Sequence, residues 1–340
     1  MAQKNDIDIV ITWVNGNDPI WQQKQAEYKG VQKSTESADP ARYRDWGTLK
    51  YLLRSIEQNA PWVRKIFLVT DNQKPEWFVE QDKLVIVDHK DFIPNKYLPV
   101  FSANPIENNL HRIPGLSEQF IFCNDDFFFL NKTKPEDFFL NGKPRDFASL
   151  HIHAVKKSLM IYQIANNDIS LINEHFDMKE VLKKDRKKWF NLKYGLKKNL
   201  KTLFLSNSPR FPGIEQFHLP QPYLKSTFKE VWEKEFDELD ETCQHRFRNK
   251  NDVNQWLFKD WQIASGNFEP VTPKNRGVLI DFEKNDEMAE LERCEKILSN
   301  GKELLLCIND GDKIENLGII VSRVQKAMES RFPIKARWEK

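Results

Sequence analysis

Asn124-Asp125-Asp126 stands between the apolar runs FIFC and FFFL. Two adjacent carboxylates in such surroundings are costly unless the strand ends in solvent or a cation neutralises them. Mg²⁺ takes one or two carboxylates and completes its shell with water and substrate phosphate. A turn whose acids cap amides and pair with lysines explains the motif about as well. Asp8 and Asp18 bracket Thr12-Trp13-Val14-Asn15-Gly16. Gly16 would let the backbone approach a ligand closely, and Trp13 offers a ring to a base or a sugar. An ordinary strand and turn with a core Trp is the simpler reading of that stretch by itself. Glu107 and His111 share a face if their segment is helical. Such a pair can move a proton, although a structural pair is the simpler alternative. His245, Arg246 and Arg248 are followed shortly by Asp252. Guanidinium groups suit two-pronged phosphate contact, and a solvated basic face is an equal competitor. From Lys183 to Lys201 there are nine Lys or Arg interleaved with Trp189, Phe190 and Tyr194. That run can lie on an anionic membrane surface, hold an anionic glycan, or be a solvated helix face. Nucleic acid is not an expected partner, since net charge is only +2 and no other feature favours it.

These groups need elements to position them. Asp8 to Val14, Ile66 to Thr70, Leu84 to Val87 and Gln119 to Cys123 are unbroken apolar runs. Each ends in acids or amides, at 15–18, 71–73, 88–91 and 124–126. Unbroken runs suit a parallel sheet covered on both faces. Ligands of such sheets bind at the carboxyl ends of the strands, so the four polar ends are expected to converge on one crevice. Phe127 to Leu130 continues as an apolar run. Leu49, Leu52, Leu53 and Ile56 predict a helix with one buried face, and a second helix is expected over about 227–243, capped by Thr227 and Glu230. Residues 28–44 are polar and read as a loop. The chain ends in a small α/β unit, with strands at 278–282 and 303–308 and helices at about 287–298 and 314–330. The expected organisation is a catalytic domain over 1–275, including the basic helical segment at about 180–201, with the small unit over 276–340 packed on it.

The 340 residues allow one large core, and 40% hydrophobic with 30% charged residues marks a folded globular protein rather than a disordered one. Cys123, Cys243, Cys294 and Cys307 lack metal-like spacing and read mostly as buried thiols. No signal peptide follows the N-terminus and no run is long enough to span a bilayer. The expected location is the cytoplasm, with peripheral contact to the inner face of the cell membrane through residues 183–201.

The segment DIDIVITWVNGNDPIW at 6–21 resembles the first conserved region of the Stealth proteins. RYRDWGTLKYLLRSIEQNAPWVRKIFLVTDNQKPEW at 42–77 resembles the second, and FSANPIENNLHRIPGLSEQFIFCNDDFFFL at 101–130 the third. A looser fourth is spread over NLKYG at 191–195, FHLP at 217–220 and CQHRFRNKNDVNQW at 243–256. LCINDGD at 306–312 and FPIKARWEK at 332–340 are similar to the bacterial capsule-synthesis members. The sequence departs from the second region, where Asp45 is followed by Trp46-Gly47-Thr48 in place of an Asn-Gly-Glu-like stretch.

The resemblance implies an α/β fold: a Rossmann-like nucleotide-sugar transferase core with a mostly parallel sheet. It implies transfer of hexose-1-phosphate or N-acetylhexosamine-1-phosphate from a UDP-sugar to a glycan or lipid-linked oligosaccharide hydroxyl, in capsular or exopolysaccharide synthesis. A phosphodiester forms and UMP leaves, with Mg²⁺ or Mn²⁺ as cofactor. Matched onto the motifs, Asp125 and Asp126 hold the metal. Asp18, His111, His218, Arg246 and Arg248 are the catalytic candidates. Asp8, Trp13, Asn15, Gly16, Arg54, Arg64 and Lys193 are the donor-binding candidates. A conventional metal-dependent glycosyltransferase releasing UDP, and a non-catalytic glycan-binding module, are the alternatives.

Overall fold

The computed structural model describes residues 6–29, 40–80, 82–156, 159–283, 286–311 and 313–340. Its strands in chain order are β1 (Ile7–Thr12), β2 (Ile66–Thr70), β3 (Leu84–Asp88), β4 (Gln119–Asn124), β5 (Phe127–Phe129), β6 (Phe139–Leu140), β7 (Lys143–Asp146), β8 (Gln221–Leu224), β9 (Glu269–Pro270), β10 (Gly277–Asp281) and β11 (Leu305–Asn309). The central sheet has the order β3-β2-β1-β4-β8. β1 to β4 run parallel and β8 runs against them. Along β1, Ile9 and Ile11 enter one core while Val10 enters the other. Both faces are therefore covered, which is why these strands carry no polar alternation. The architecture is the mixed α/β, Rossmann-like core that the sequence predicts.

The register pairs Thr12 with Val69 and with Asn124, and Thr70 with Asp88. The carboxyl ends of the four parallel strands thus share one edge of the sheet. One face is packed by the helix Leu49–Asn59, which buries Leu49, Leu52, Leu53 and Ile56. The other is packed by helices including Lys225–Lys234 and Trp256–Ala264, through Phe228, Val231, Leu257 and Trp261.

The C-terminal unit is joined to the core by a shared sheet. β10 and β11 are parallel, and β11 pairs antiparallel with β5, setting Cys307 opposite Phe127. Helices Glu287–Asn300 and Leu317–Arg331 belong to the same unit and feed Leu291, Cys294, Ile320 and Val324 into the core under Leu49–Asn59. The final residues are pinned by Arg54. Its guanidinium holds both oxygens of Glu339 at 2.8 Å, Glu329 at 2.9 Å and the Phe332 carbonyl at 2.8 Å. Arg54 and Glu339 are both buried. Arg54→Ala is expected to cost about 3–5 kcal/mol, because it strands a buried carboxylate. Denaturant unfolding followed by Trp fluorescence measures this, and a change below about 1 kcal/mol would contradict the role.

Several local expectations change. The segment 227–243 forms two helices, Lys225–Lys234 and Phe236–Gln244. Thr227 lies buried inside the first, whose N-cap is Leu224, so there is no Thr227–Glu230 capping box. β8 hands over directly to this helix, and the extended backbone of Leu224 makes the boundary. Pro19–Lys29 is a helix that its composition conceals, since only Trp21 on it is buried. Of the polar stretch 28–44, residues 30–39 lie outside the described residues, and Pro40–Tyr43 is a 3-10 turn. The basic segment is helical in three pieces, Met178–Lys184, Arg186–Trp189 and Leu196–Leu205. All four cysteines are buried free thiols.

Candidate active site

The carboxyl edge of the sheet gathers acids around the end of β4. Thr12 at the end of β1 donates its hydroxyl to the Asn124 amide oxygen at 3.5 Å. Asp125 and Asp126 form the two-residue turn between β4 and β5. β8 is antiparallel, so the chain that enters it brings Phe217 and His218 to this same turn. His218 Nε2 lies 3.7 Å from Asp126 Oδ2, and its ring meets Phe127 edge-on at 4.9 Å. Asp126 Oδ1 is buried without a hydrogen-bond partner.

A third carboxylate comes from Asp45. The stretch 42–46 runs along this edge. Trp13 Nε1 donates to Asp45 Oδ2 at 3.3 Å, and Arg44 and Trp46 reach across to Asp310 at 3.0 and 2.9 Å. Burial first, then the charges of Asp126 and Asp45, push the Asp125 carboxyl well above the usual carboxylate range. Three acids crowd together here, and the one ion pair they make among the described residues is with an imidazole. Cys307 adds its thiol, giving with Asp126 and His218 three donor atoms within 4.8 Å of one another. Burial pushes that thiol far up, so it stays protonated and donates to Asp126 Oδ2 at 3.5 Å. Asp125 and Asp126 are the carboxylates that could hold a hard divalent cation, with Asp45 a further negative charge felt by Asp125. The orphaned Asp126 oxygen is the acceptor such an ion would satisfy.

Guanidiniums gather around Tyr43, whose backbone carbonyl accepts from Gly16 past the end of β1 at 3.1 Å. Phe247 packs face to face on Phe101 at 5.2 Å, in a small cluster with Trp21. Arg246 and Arg248 flank it in sequence. Arg246 lies over the Tyr28 ring at 5.1 Å. Arg248 lies within electrostatic reach of Arg42, Glu107, Asp252 and Tyr43. Burial and then the Arg42 charge press Arg248 below its ordinary value. Among the described residues, no carboxylate lies within ion-pair distance of Arg42, Arg246 or Arg248. Guanidiniums that make no such contact are a ready anion site. Glu107 joins the two groups. It is buried, which raises its pKa, and it feels the charges of both Arg248 and His218. Trp256 and Gln255 line the small cleft at His218 with Asn124 and Phe217. A half-buried indole there suits the apolar face of a sugar.

The loop that carries the arginines is organised by Asp252, which is fully buried. Its carboxylate accepts from Asn104 at 2.8 Å and the Asn249 amide at 2.9 Å, and meets His245 Nδ1 at 2.7 Å. The Asp252 hydrogen bond raises the His245 pKa above its ordinary 6.5. A raised folded-state pKa means the pair stabilises fully below the unfolded value, and that contribution fades as pH rises through the folded one. The wild-type melting temperature is therefore expected to fall more than that of His245→Gln between about pH 6 and pH 9. Parallel profiles in a calorimetric pH series would contradict this.

Several predicted residues lie elsewhere. Asp8 is near the amino end of β1, about 13 Å along the strand from Thr12. It is buried and bonded to Arg64, with Arg64 Nε at 2.9 Å, and to the amides of Lys65 and Ser117 at 3.2 and 2.8 Å. Asp8 and Arg64 thus form a structural pair at the far edge, as Arg54 does at the C-terminal unit. Lys193 is exposed and bonds the Pro270 carbonyl at 3.2 Å.

Glu107 and His111 do not share a face. The helix Ala103–Asn108 ends between them, and a 3-10 turn begins at Leu110. His111 packs on Phe228 and Trp232, where burial lowers its pKa to about 3. That neutral ring stands apart from the acids, so no catalytic role is assigned to it. Asp18 caps the helix Pro19–Lys29, accepting from Ile20 at 2.8 Å, and also accepts from Gln73 at 3.3 Å. Asn15 is tied to Gln73 by two bonds, at 2.9 and 3.0 Å. Trp13 is buried, with its indole N–H engaged by Asp45. Gly16 faces the Tyr43 backbone, and a Cβ there would sit 2.1 Å from the Tyr43 oxygen.

Of the four polar strand ends, those of β2 and β3 are largely self-satisfied. Asp71 pairs with Lys24 at 2.6 Å, and Asp88 caps the turn His89–Asp91. Asp45 and Arg42 were not among the predicted site residues. The signal for both was the Arg-Tyr-Arg-Asp stretch that opens the second motif.

A Rossmann-like core with acids, an imidazole and guanidiniums near the carboxyl edge of its sheet has the architecture of an enzyme acting on phosphate groups. The chain belongs to the Stealth family. Residues 5–30 match Stealth protein CR1, conserved region 1; residues 42–146 match CR2, conserved region 2; and residues 217–257 match CR3, conserved region 3. The stretches 42–77 and 101–130 therefore belong to one region, and 191–195 lies outside all three. The receptor polysaccharide phosphotransferase WefC of Streptococcus oralis is 45% identical over 98% of this chain and 99% of its own. A capsular polysaccharide phosphotransferase WcwK of Streptococcus pneumoniae is 42% identical over 98% and 99%. The exopolysaccharide phosphotransferase cps2G of Lactiplantibacillus plantarum is 33% identical over 98% and 96%.

Proposed function

We propose that this chain transfers a sugar-1-phosphate from a UDP-sugar to a hydroxyl of a glycan or lipid-linked oligosaccharide, in capsular or exopolysaccharide synthesis. The observation that carries this reading is the acid group of Asp45, Asp125 and Asp126 joined through Glu107 to Arg248, with Arg42 and Arg246 near it, none of the three arginines making an ion pair among the described residues. A nucleoside diphosphate needs both, a cation to neutralise it and guanidiniums to grip its non-bridging oxygens. The printed names of the relatives support phosphate transfer in polysaccharide assembly.

In this scheme the acceptor oxygen forms a bond to the β-phosphorus. The bond from that phosphorus to the bridging oxygen breaks, and UMP leaves with the electron pair. The sugar–oxygen bond stays intact and a phosphodiester results. His218 Nε2, 3.7 Å from Asp126 Oδ2, takes the hydroxyl proton. Arg248, with Arg42 and Arg246, orients the diphosphate. Trp256 lines the sugar's side of the cleft. Asp125 and Asp126 would hold Mg²⁺ or Mn²⁺, which supplies charge neutralisation on the diphosphate when bound.

Phosphorus NMR of the purified product tests the reading. A phosphodiester resonance coupled to the anomeric proton is expected. A product free of phosphorus would mean attack at carbon and would overturn it.

A further inference from the structure

We infer that the outer face of the helix Leu196–Leu205, with the turn before it, lies against an anionic lipid bilayer. Leu192, Leu196, Leu200, Leu203 and Phe204 are 93%, 75%, 54%, 56% and 77% exposed. Scattered surface leucines are ordinary, but five large apolar side chains within thirteen residues form a patch. Within the helix, Leu196, Leu200, Leu203 and Phe204 follow at spacings of four, three and one and share one face, and Leu192 is on the turn before it.

The helix cannot roll to bury them. Its inner face is fixed by Lys201, which reaches Glu215 at 2.7 Å, by the Lys198–Glu215 pair, and by the Thr202 hydroxyl, which accepts from the Leu150 amide at 3.2 Å. Asn199 adds a bond to the Asn191 carbonyl at 2.9 Å.

The charge around the patch selects the partner. Lys183, Lys184, Arg186, Lys187, Lys193 and Lys197 are exposed, and among the described residues none of them forms an ion pair. A protein partner would need an apolar groove rimmed by acids. An anionic bilayer supplies hydrocarbon and diffuse negative charge together, the combination an interfacial helix of leucines, phenylalanine and lysines binds. No helix among the described residues is long and apolar enough to cross a membrane, so the contact is peripheral. This inference does not depend on the transfer chemistry, and its test uses neither donor nor acceptor.

The experiment is sedimentation of the full chain with vesicles of phosphatidylcholine alone, or of equal parts phosphatidylcholine and phosphatidylglycerol. Wild type is expected to pellet with the anionic vesicles, less so as salt is raised, and to stay in solution with the neutral ones. Leu200→Ser combined with Phe204→Ser should weaken binding by at least about tenfold. Lys193→Gln combined with Lys197→Gln should weaken it by about tenfold or more. All these side chains are exposed, so circular dichroism should confirm unchanged folding. Equal binding by wild type and the Leu200/Phe204 variant would overturn the inference. So would failure to pellet with anionic vesicles, or binding indifferent to lipid charge. A dimer in sedimentation velocity that the Phe204 change abolishes, without vesicle binding, would assign the face to a second copy instead.

Discussion

Asp126→Asn is expected to lower kcat/KM by about 10³-fold or more while the protein melts no lower than wild type in metal-free buffer. The two halves of that result share a cause. Asp126 sits beside Asp125 in a turn with Asp45 close by, and among the described residues the one ion pair at this cluster is the contact with His218. Without a bound cation, like charges there oppose folding. The amide keeps the side-chain shape and removes one of those charges, so the change should relieve repulsion even as it silences the enzyme. Sites that trade stability for function behave this way. Steady-state kinetics with Mg²⁺, calorimetric Mn²⁺ titration and thermal melts in EDTA read the three quantities. A variant that binds Mn²⁺ and turns over like wild type would remove Asp126 from the metal site.

The second large effect belongs to Arg248. Arg248→Ala should reduce kcat/KM by about 10³-fold, the scale on which an arginine acts on a phosphoryl group in transfer. The geometry makes a structural explanation weak, because Arg248 has no ion-pair partner among the described residues to lose. Arg248→Lys restores the charge without the planar fork, so it should recover only part of the activity. Full recovery by Lys would mean that a point charge suffices and that no two-pronged phosphate contact is made. A change confined to thermal stability would make Arg248 a framework residue.

The contrast with Arg54 and Arg64 shows what the sequence could and could not disclose. All three are arginines within matched regions of the family. Arg54 and Arg64 turn out to meet Glu339 and Asp8, partners hundreds or tens of residues away. Only the fold reveals that those charges are paired and that Arg248 makes no ion pair among the described residues. The sheet was largely legible, because parallel strands buried on both faces leave long apolar runs, and β2 matches its predicted limits at both ends. Helix Pro19–Lys29 was not, since a helix that buries one Trp has no stripe to read. The acids at the end of β4 were visible as a break between two phenylalanine-rich runs. Asp45 was hidden because it reaches the site along a loop, and loops carry no periodicity. His111 misled for the opposite reason. A titratable residue beside a carboxylate in sequence looks catalytic until burial between Phe228 and Trp232 is known.

The central claim is that the β-phosphorus is attacked, and the released nucleotide reports on it most directly. The protein is incubated with Mg²⁺, a panel of UDP-sugars and short glycan acceptors, and the nucleotide products are separated by chromatography. The account predicts UMP, formed in step with sugar-phosphate transfer and abolished by EDTA and by Asp125→Ala. Release of UDP with a phosphate-free glycosidic product would contradict it and make the chain a conventional glycosyltransferase.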